Sequence, residues 1–195
     1  LALRLIPELA AEFKTRFGRD TGGLLRTYRT EDAEMLVVAM GSINGTIKDV
    51  IDEMRADGFS IALVTIVSFR PFPTEALRRL MAGRKHVVVV EKSFAVGMGG
   101  QLANNVDLAL RNTPAAPQVH SVVAGLGGRS ITRASLHRVF RRAMAQPWEG
   151  AHFLDLNEDI IGKELHHVRK VRRSGPTAEN LLRRLDQAAQ ATAAE

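Results

Sequence analysis

The chain has 195 residues, 45% apolar and 25% charged, and 27 Lys and Arg against 21 Asp and Glu leave a net charge of +6. Those values suit a globular domain with appendages, exclude wholesale disorder, and permit an acidic partner without requiring one. With no cysteine, the chain itself cannot carry a disulfide, a thiolate metal site, a cysteine-ligated iron–sulfur cluster or a cysteine nucleophile.

Residues 5–17 place Ile6, Leu9, Ala10, Phe13 and Phe17 at helical spacing, and Gly18 stops them. The interspersed Arg4, Glu8, Glu12, Lys14 and Arg16 exclude a signal peptide, and no run approaches the about 20 apolar residues of a membrane helix. The chain starts on Leu, so it is expected to begin partway through a longer or processed polypeptide, with a cytoplasmic location. Residues 18–32 read as a linker or extended arm.

From Met35 strand and helix signals alternate. Residues 35–40 form an apolar run without alternation, as in a strand buried on both faces. Gly41, Ser42, Asn44 and Gly45 make a turn. Ile47, Val50, Ile51 and Met54 mark one helix face, which Gly58 ends. Residues 60–67 predict a second strand, broken by Pro71 and Pro73. Thr74 is a candidate cap for a helix through Leu77, Leu80 and Met81. A third strand at 86–90 leads through Gly97-Met98-Gly99-Gly100 into a helix over Leu102, Val106 and Leu110. A fourth at 119–124 leads through Gly125-Leu126-Gly127-Gly128 and the cap Thr132 into a helix over Leu136, Val139 and Phe140. Residues 152–156 suit a fifth, shorter strand.

The pattern predicts an α/β fold: a mostly parallel sheet of about five strands, flanking helices, right-handed crossovers and helical N- and C-terminal arms. The expected divisions are 1–32 for the N-terminal helix and linker, 33–157 for the α/β domain, and 158–195 for a basic helical arm. That arm contains the cluster 169–173, the break Ser174-Gly175-Pro176 and a last helix marked by Leu181, Leu182 and Leu185.

Functional loops are expected at the carboxyl ends of the strands. Candidate interface or ligand-loop residues are Gly41 and Ser42 after the first strand, and Arg70 and Phe72 after the second. Gly97, Gly99 and Gly100 follow the third, and Gly127, Gly128 and Arg129 the fourth. Each Gly-x-Gly-Gly turn can aim N–H groups at an anion. Neither completes a dinucleotide fingerprint, because Leu102 and Ser130 stand at the final glycine position, so tight backbone packing is the favoured reading. Arg70, between two phenylalanines and two prolines, suits either a carboxylate or phosphate grip or an internal ion pair. Adjacent His166 and His167 diverge on a helix, and no metal site is expected. Arg129, Arg133, Arg138, Arg141 and Arg142 read as a solvated face or protein interface rather than a nucleic-acid surface. No nucleophile–base signature or P-loop occurs, so no catalytic residue is assigned.

Taken in order, several segments resemble a known family. They are residues 29–34 leading into Val37-Val38-Ala39-Met40-Gly41-Ser42, then Phe69-Arg70-Pro71-Phe72-Pro73, Val89-Val90-Glu91-Lys92, Gly97-Met98-Gly99-Gly100 and residues 125–132. Over residues 20–157 they look like the alpha component of 2-oxoacid:ferredoxin oxidoreductases, the pyruvate synthase group. Residues 174–180 are similar to that subunit's C-terminal arm. The resemblance implies a transketolase C-terminal-domain-like fold in a multisubunit enzyme that oxidatively decarboxylates a 2-oxoacid, usually to acyl-CoA. It implies thiamine diphosphate, magnesium and iron–sulfur clusters on other domains or subunits. Implied partners are a thiamine diphosphate-binding subunit, a gamma-type subunit and a ferredoxin-like iron–sulfur subunit. This chain's implied role is non-catalytic assembly. Phe94-Ala95-Val96 departs from the family's more polar turn and points to a subclass such as an aromatic 2-oxoacid. A reading of a different class is a free-standing nucleotide- or phosphate-binding module using residues 41–45 and 97–100.

Overall fold

Helix α1 (Ala2–Phe17) opens the chain in the computed structural model, which describes residues 1–171. Gly18, left-handed at φ 66°, ends it by donating its N–H to the Lys14 carbonyl. The helix begins earlier than its apolar spacing suggests, and none of its residues is buried. Residues 18–32 are more than a linker: they contain a strand, β1 (Leu25–Tyr28).

Strand and helix then alternate through β2 (Met35–Ala39), α2 (Ile43–Ala56), β3 (Ile61–Ile66), α3 (Thr74–Met81), β4 (His86–Glu91) and α4 (Gln101–Leu110). They continue through β5 (Gln118–Val123), a 3-10 turn at Leu126–Gly128, α5 (Arg133–Ala145) and β6 (Ala151–Phe153). The sheet has six strands in the order β1-β3-β2-β4-β5-β6. All neighbours are parallel except β1, which runs antiparallel to β3 with Leu25 opposite Ile66. The expected five strands are present, and β1 is the addition.

Alternate side chains of the central strands feed two cores. Met35, Val37 and Ala39 of β2 pack with Ile47, Val50 and Ile51 of α2 and Leu136, Val139 and Phe140 of α5. Leu36 and Val38 pack on the other face with Leu77 and Met81 of α3 and Leu102 and Val106 of α4. Both faces of β2 are therefore covered, which explains an apolar run without alternation. The burial of α2 falls on the four residues its spacing marks, Ile47, Val50, Ile51 and Met54.

One connection corrects the expectation of uniform handedness. Helices α4 and α5 each lead to the next strand on the same side, yet they lie on opposite faces of the sheet. The β5–α5–β6 crossover thus has the hand opposite to the other three. With α3 and α4 occupying one face, α5 fills the space beside α2 on the other.

The first compact unit is Leu1–Asp155; the second starts at Leu156 and contains α6 (Glu158–Val171). Asn157 begins α6, its side chain accepting from the Ile160 N–H at 3.0 Å. Arg172, Arg173, residues 174–180 and the helix marked by Leu181, Leu182 and Leu185 lie outside the described residues. Among the described residues no helix is long and apolar enough to cross a membrane.

Candidate functional site

From β2 the chain moves to β3 on one side, then returns across to β4 on the other. Loops at the carboxyl ends of β2 and β4 therefore diverge, and such a switch point opens a crevice in parallel sheets. A cleft of about 400 Å³ lies there. Gly41 and Ser42 line it from the β2–α2 turn, Thr46 from the first turn of α2, Glu91 and Lys92 from the end of β4, and Arg129 from the loop after β5. Met40, Ile43 and Ile131 give it an apolar wall. Of the candidate residues, the cleft collects Gly41, Ser42 and Arg129. Asn44 and Gly45, expected in the turn, belong to the first turn of α2. A wider hollow of about 890 Å³ runs along α1 and β1, away from the β4 and β5 loops.

The loop at 97–100 is not an open anion site. The Glu91 carboxylate accepts the Leu102 N–H through Oε2 and the Ala103 N–H through Oε1, each at 2.9 Å. The protein's own acid thus fills the start of α4, where the helix dipole favours negative charge. Gly100 is required for it: a Cβ there would stand 2.8 Å from the Glu91 carboxyl carbon and closer still to Oε1. Gly97 and Gly99 shape a small reverse loop in which Ala95 and Gly99 bridge. The protein's own carboxylate thus occupies the helix start that follows this loop, and of its three glycines only Gly100 is closely approached, by the Glu91 side chain.

The second glycine turn behaves differently again. Helix α5 is capped by Thr132, whose Oγ1 accepts the Ser135 N–H at 3.1 Å, as its sequence predicts. Gly127 and Gly128, both exposed, do not line the cleft. Gly125 lets the Lys92 stem pass, since a Cβ there would stand 2.8 Å from Lys92 Cε. Lys92 itself has no hydrogen-bond or ion-pair partner among the described residues. Arg129 donates to the Asp155 backbone carbonyl.

Arg70 and Phe72 lie apart from the cleft's lining. Phe69 and Phe72 meet edge-on at 5.9 Å and pack against the α3–α4 core. The Arg70 guanidinium lies 4.1 Å from the Phe69 ring centre and donates to the Phe69 carbonyl at 2.8 Å. Among the described residues it has no carboxylate partner. Thr74 does not cap α3; Pro73 occupies that position without a side-chain bond.

The basic stretch on α5 is engaged within the domain. Arg133 and His137 hold Glu53, Arg138 pairs with Asp155 at 2.7 Å, and Arg141 with Asp57 at 2.9 Å. Arg142 sits 5.4 Å from the Trp148 ring centre. Arg133, Arg138 and Arg141 are thus paired with the domain's own acids. His120 is fully buried between His86, at 3.4 Å, and the Trp148 ring. Burial, and secondarily the charge of His86, lower its pKa to about 4. Its Nδ1 has no partner, which favours the tautomer protonated on Nε2 and donating to His86. Among the described residues no three His, Asp or Glu side chains converge as a metal site.

The strand-end surface carries exposed apolar side chains. Val96 is 93% exposed and Met98 70%, with Met40, Phe94 and Leu126 around the same end of the sheet. Phe94 meets Phe153 edge-on at 4.9 Å.

The pyruvate:ferredoxin oxidoreductase core domain II family matches residues 33–136. Pyruvate synthase subunit PorA of Thermotoga maritima is 42% identical over 141 residues, covering 72% of this chain and 36% of its own length. Ketoisovalerate oxidoreductase subunit VorA of Pyrococcus horikoshii is 35% identical over 131 residues, covering 67% and 33% respectively. The chain thus spans about a third of the length of these curated relatives. A solved split-gene transketolase, described as an inactive beta4 tetramer, shares the fold with a TM-score of 0.50 and 20% identity, over 62% of this chain and 41% of that one.

Proposed function

The chain belongs to the pyruvate:ferredoxin oxidoreductase core domain II family, and on that premise we propose that it is the assembly domain of a 2-oxoacid oxidoreductase. The enzyme would be thiamine diphosphate-dependent. It decarboxylates a 2-oxoacid oxidatively, with coenzyme A as the usual acyl acceptor and ferredoxin or another carrier taking the electrons. The names of its relatives, a pyruvate synthase and a ketoisovalerate oxidoreductase subunit, support that reaction class.

Thiamine diphosphate supplies the carbanion chemistry and iron–sulfur clusters the electron path. The donor set on this chain does not fit either group: it has no cysteine, Glu91 is bound by the start of α4, and among the described residues no three His, Asp or Glu side chains converge. We therefore assign thiamine diphosphate, magnesium and the clusters to other domains or subunits and derive no step through them.

What this chain contributes is a rigid platform. The observation that carries the reading is the apolar strand-end surface on a domain of this family, with Val96 and Met98 almost bare of cover. Large exposed apolar side chains grouped on one surface mark interaction sites. The candidates Arg70, Gly97 and Gly99 sit in loops at that end. The partners in this reading are a thiamine diphosphate-binding subunit, a gamma-type subunit and a ferredoxin-like iron–sulfur subunit, in a cytoplasmic hetero-oligomer.

Native purification of the chain from its source, with mass spectrometry of co-eluting proteins, tests this. Co-elution with a thiamine diphosphate-binding subunit and a cysteine-rich ferredoxin-like subunit is expected. A lone monomer lacking both refutes it.

A further inference from the structure

We propose that the crevice between the carboxyl ends of β2 and β4 binds a small organic phosphate, through Lys92, Arg129, Ser42 and Thr46. This inference is independent of the assembly reading, because it concerns a concave site rather than the exposed Val96–Met98 loop.

Three observations converge on it. The cleft, about 400 Å³, falls in the range of small-ligand sites and lies at the sheet's switch point. Its charge balance is positive and uncommitted. Glu91, the acid that lines it, is bound by the Leu102 and Ala103 N–H groups, whereas Lys92 has no hydrogen-bond or ion-pair partner among the described residues. This sets Lys92 apart from Arg133, Arg138 and Arg141, each of which is paired with an acid. Finally, the cation and donor groups arrive from three directions: Ser42 and Thr46 at the start of α2, Lys92 after β4 and Arg129 after β5.

That arrangement favours phosphate over carboxylate. A tetrahedral anion offers acceptor oxygens in several directions, whereas a planar carboxylate is met by one guanidinium fork. Arg129 is anchored through the Asp155 carbonyl, while Lys92 remains a movable point charge on its stem over Gly125. Met40, Ile43 and Ile131 offer an apolar wall for the body of the ligand. The loop at 97–100, the other phosphate candidate in the sequence, is closed by Glu91.

The test uses the full 195-residue chain with phenyl phosphate, inorganic phosphate and benzoate as probes, at fixed ionic strength and pH 7. Amide NMR titration should show saturable phenyl phosphate binding, with shifts at Gly41, Ser42, Lys92 and Arg129. Benzoate should bind about tenfold more weakly or not at all. Lys92→Gln and Arg129→Gln should each weaken phenyl phosphate binding about tenfold. Arg141→Gln, at the Asp57 pair, should leave it unchanged. Should Arg129→Gln disturb the fold, Lys92→Gln alone carries the test, since its ammonium has no hydrogen-bond or ion-pair partner among the described residues. Non-saturating shifts, responses reproduced by chloride, equal affinity for benzoate, or full binding in Lys92→Gln would each overturn the proposal.

Discussion

Replacing Gly100 by Ala should destabilise the domain by about 3 kcal/mol, entirely through Glu91. The Gly100 backbone, at φ −76° and ψ 134°, suits alanine, so no conformational strain is expected. The new Cβ would stand 2.8 Å from the Glu91 carboxyl carbon and expel the carboxylate from the start of α4. Two N–H bonds to a charged acceptor would be lost or bent, at about 1.5–3 kcal/mol each. Partial relaxation of the loop sets the total near the lower end of that sum. Glu91→Ala should cost a similar amount, because it leaves the same N–H groups unpaired. In that background the carboxylate is gone, so Gly100→Ala should be neutral or stabilising by about 0.5 kcal/mol through the unfolded chain. Urea denaturation of wild type, both single variants and the double variant measures the coupling. Additive costs, or a Gly100→Ala variant as stable as wild type, would refute the account.

His120 makes a pH prediction. Its neutral buried ring is disfavoured for protonation in the fold, with a pKa of about 4 against an ordinary 6.5. As pH falls the unfolded chain takes the proton first, so stability drains away between those values, by about 3 kcal/mol at most. Denaturation midpoints at pH 7 and 4.5 should show the loss, and His120→Leu should flatten it; a ring resonance titrating near 6.5 would contradict the burial argument. Thr132→Ala should cost about 1 kcal/mol by removing the α5 cap, read from the same denaturation curves. Val96→Asp should leave stability within about 0.5 kcal/mol. If the assembly reading is right, it should weaken co-purification of partner subunits; unchanged assembly would count against it.

The central fold was legible because it is written in doubly buried strands. Val87, Val88, Val89 and Val90 have no exposed side, so they form an unbroken apolar run that only a strand covered on both faces explains. The face of α2 was equally plain. Strand β1 was not: its burial is partial, it has four residues, and its only pairing is with β3, far along the chain. The reversed hand of the β5–α5–β6 crossover has no local signal either, since it depends on which face the other helices already cover. At the site, Gly41, Ser42 and Arg129 were recognisable from strand-end position. Glu91 and Lys92 stood in a family-like motif without a role. What distinguishes them lies across the fold: Glu91 meets the start of α4, and Lys92 has no hydrogen-bond or ion-pair partner among the described residues.

The short strand β1 also bears on how the domain behaves when separated from other chains. Without it, β3 would present six residues, Ile61–Ile66, as an unpaired apolar edge. Such an edge is a template for strand addition by another molecule. Instead the two outer rows of unpaired backbone belong to β1, of four residues, and β6, of three. Both are too brief to recruit a long partner strand, and Tyr28 at the end of β1 is tied to Asp52 of α2 at 2.8 Å. The sheet therefore carries its own protection against edge-to-edge aggregation, leaving side-chain surfaces rather than backbone ladders as its means of association.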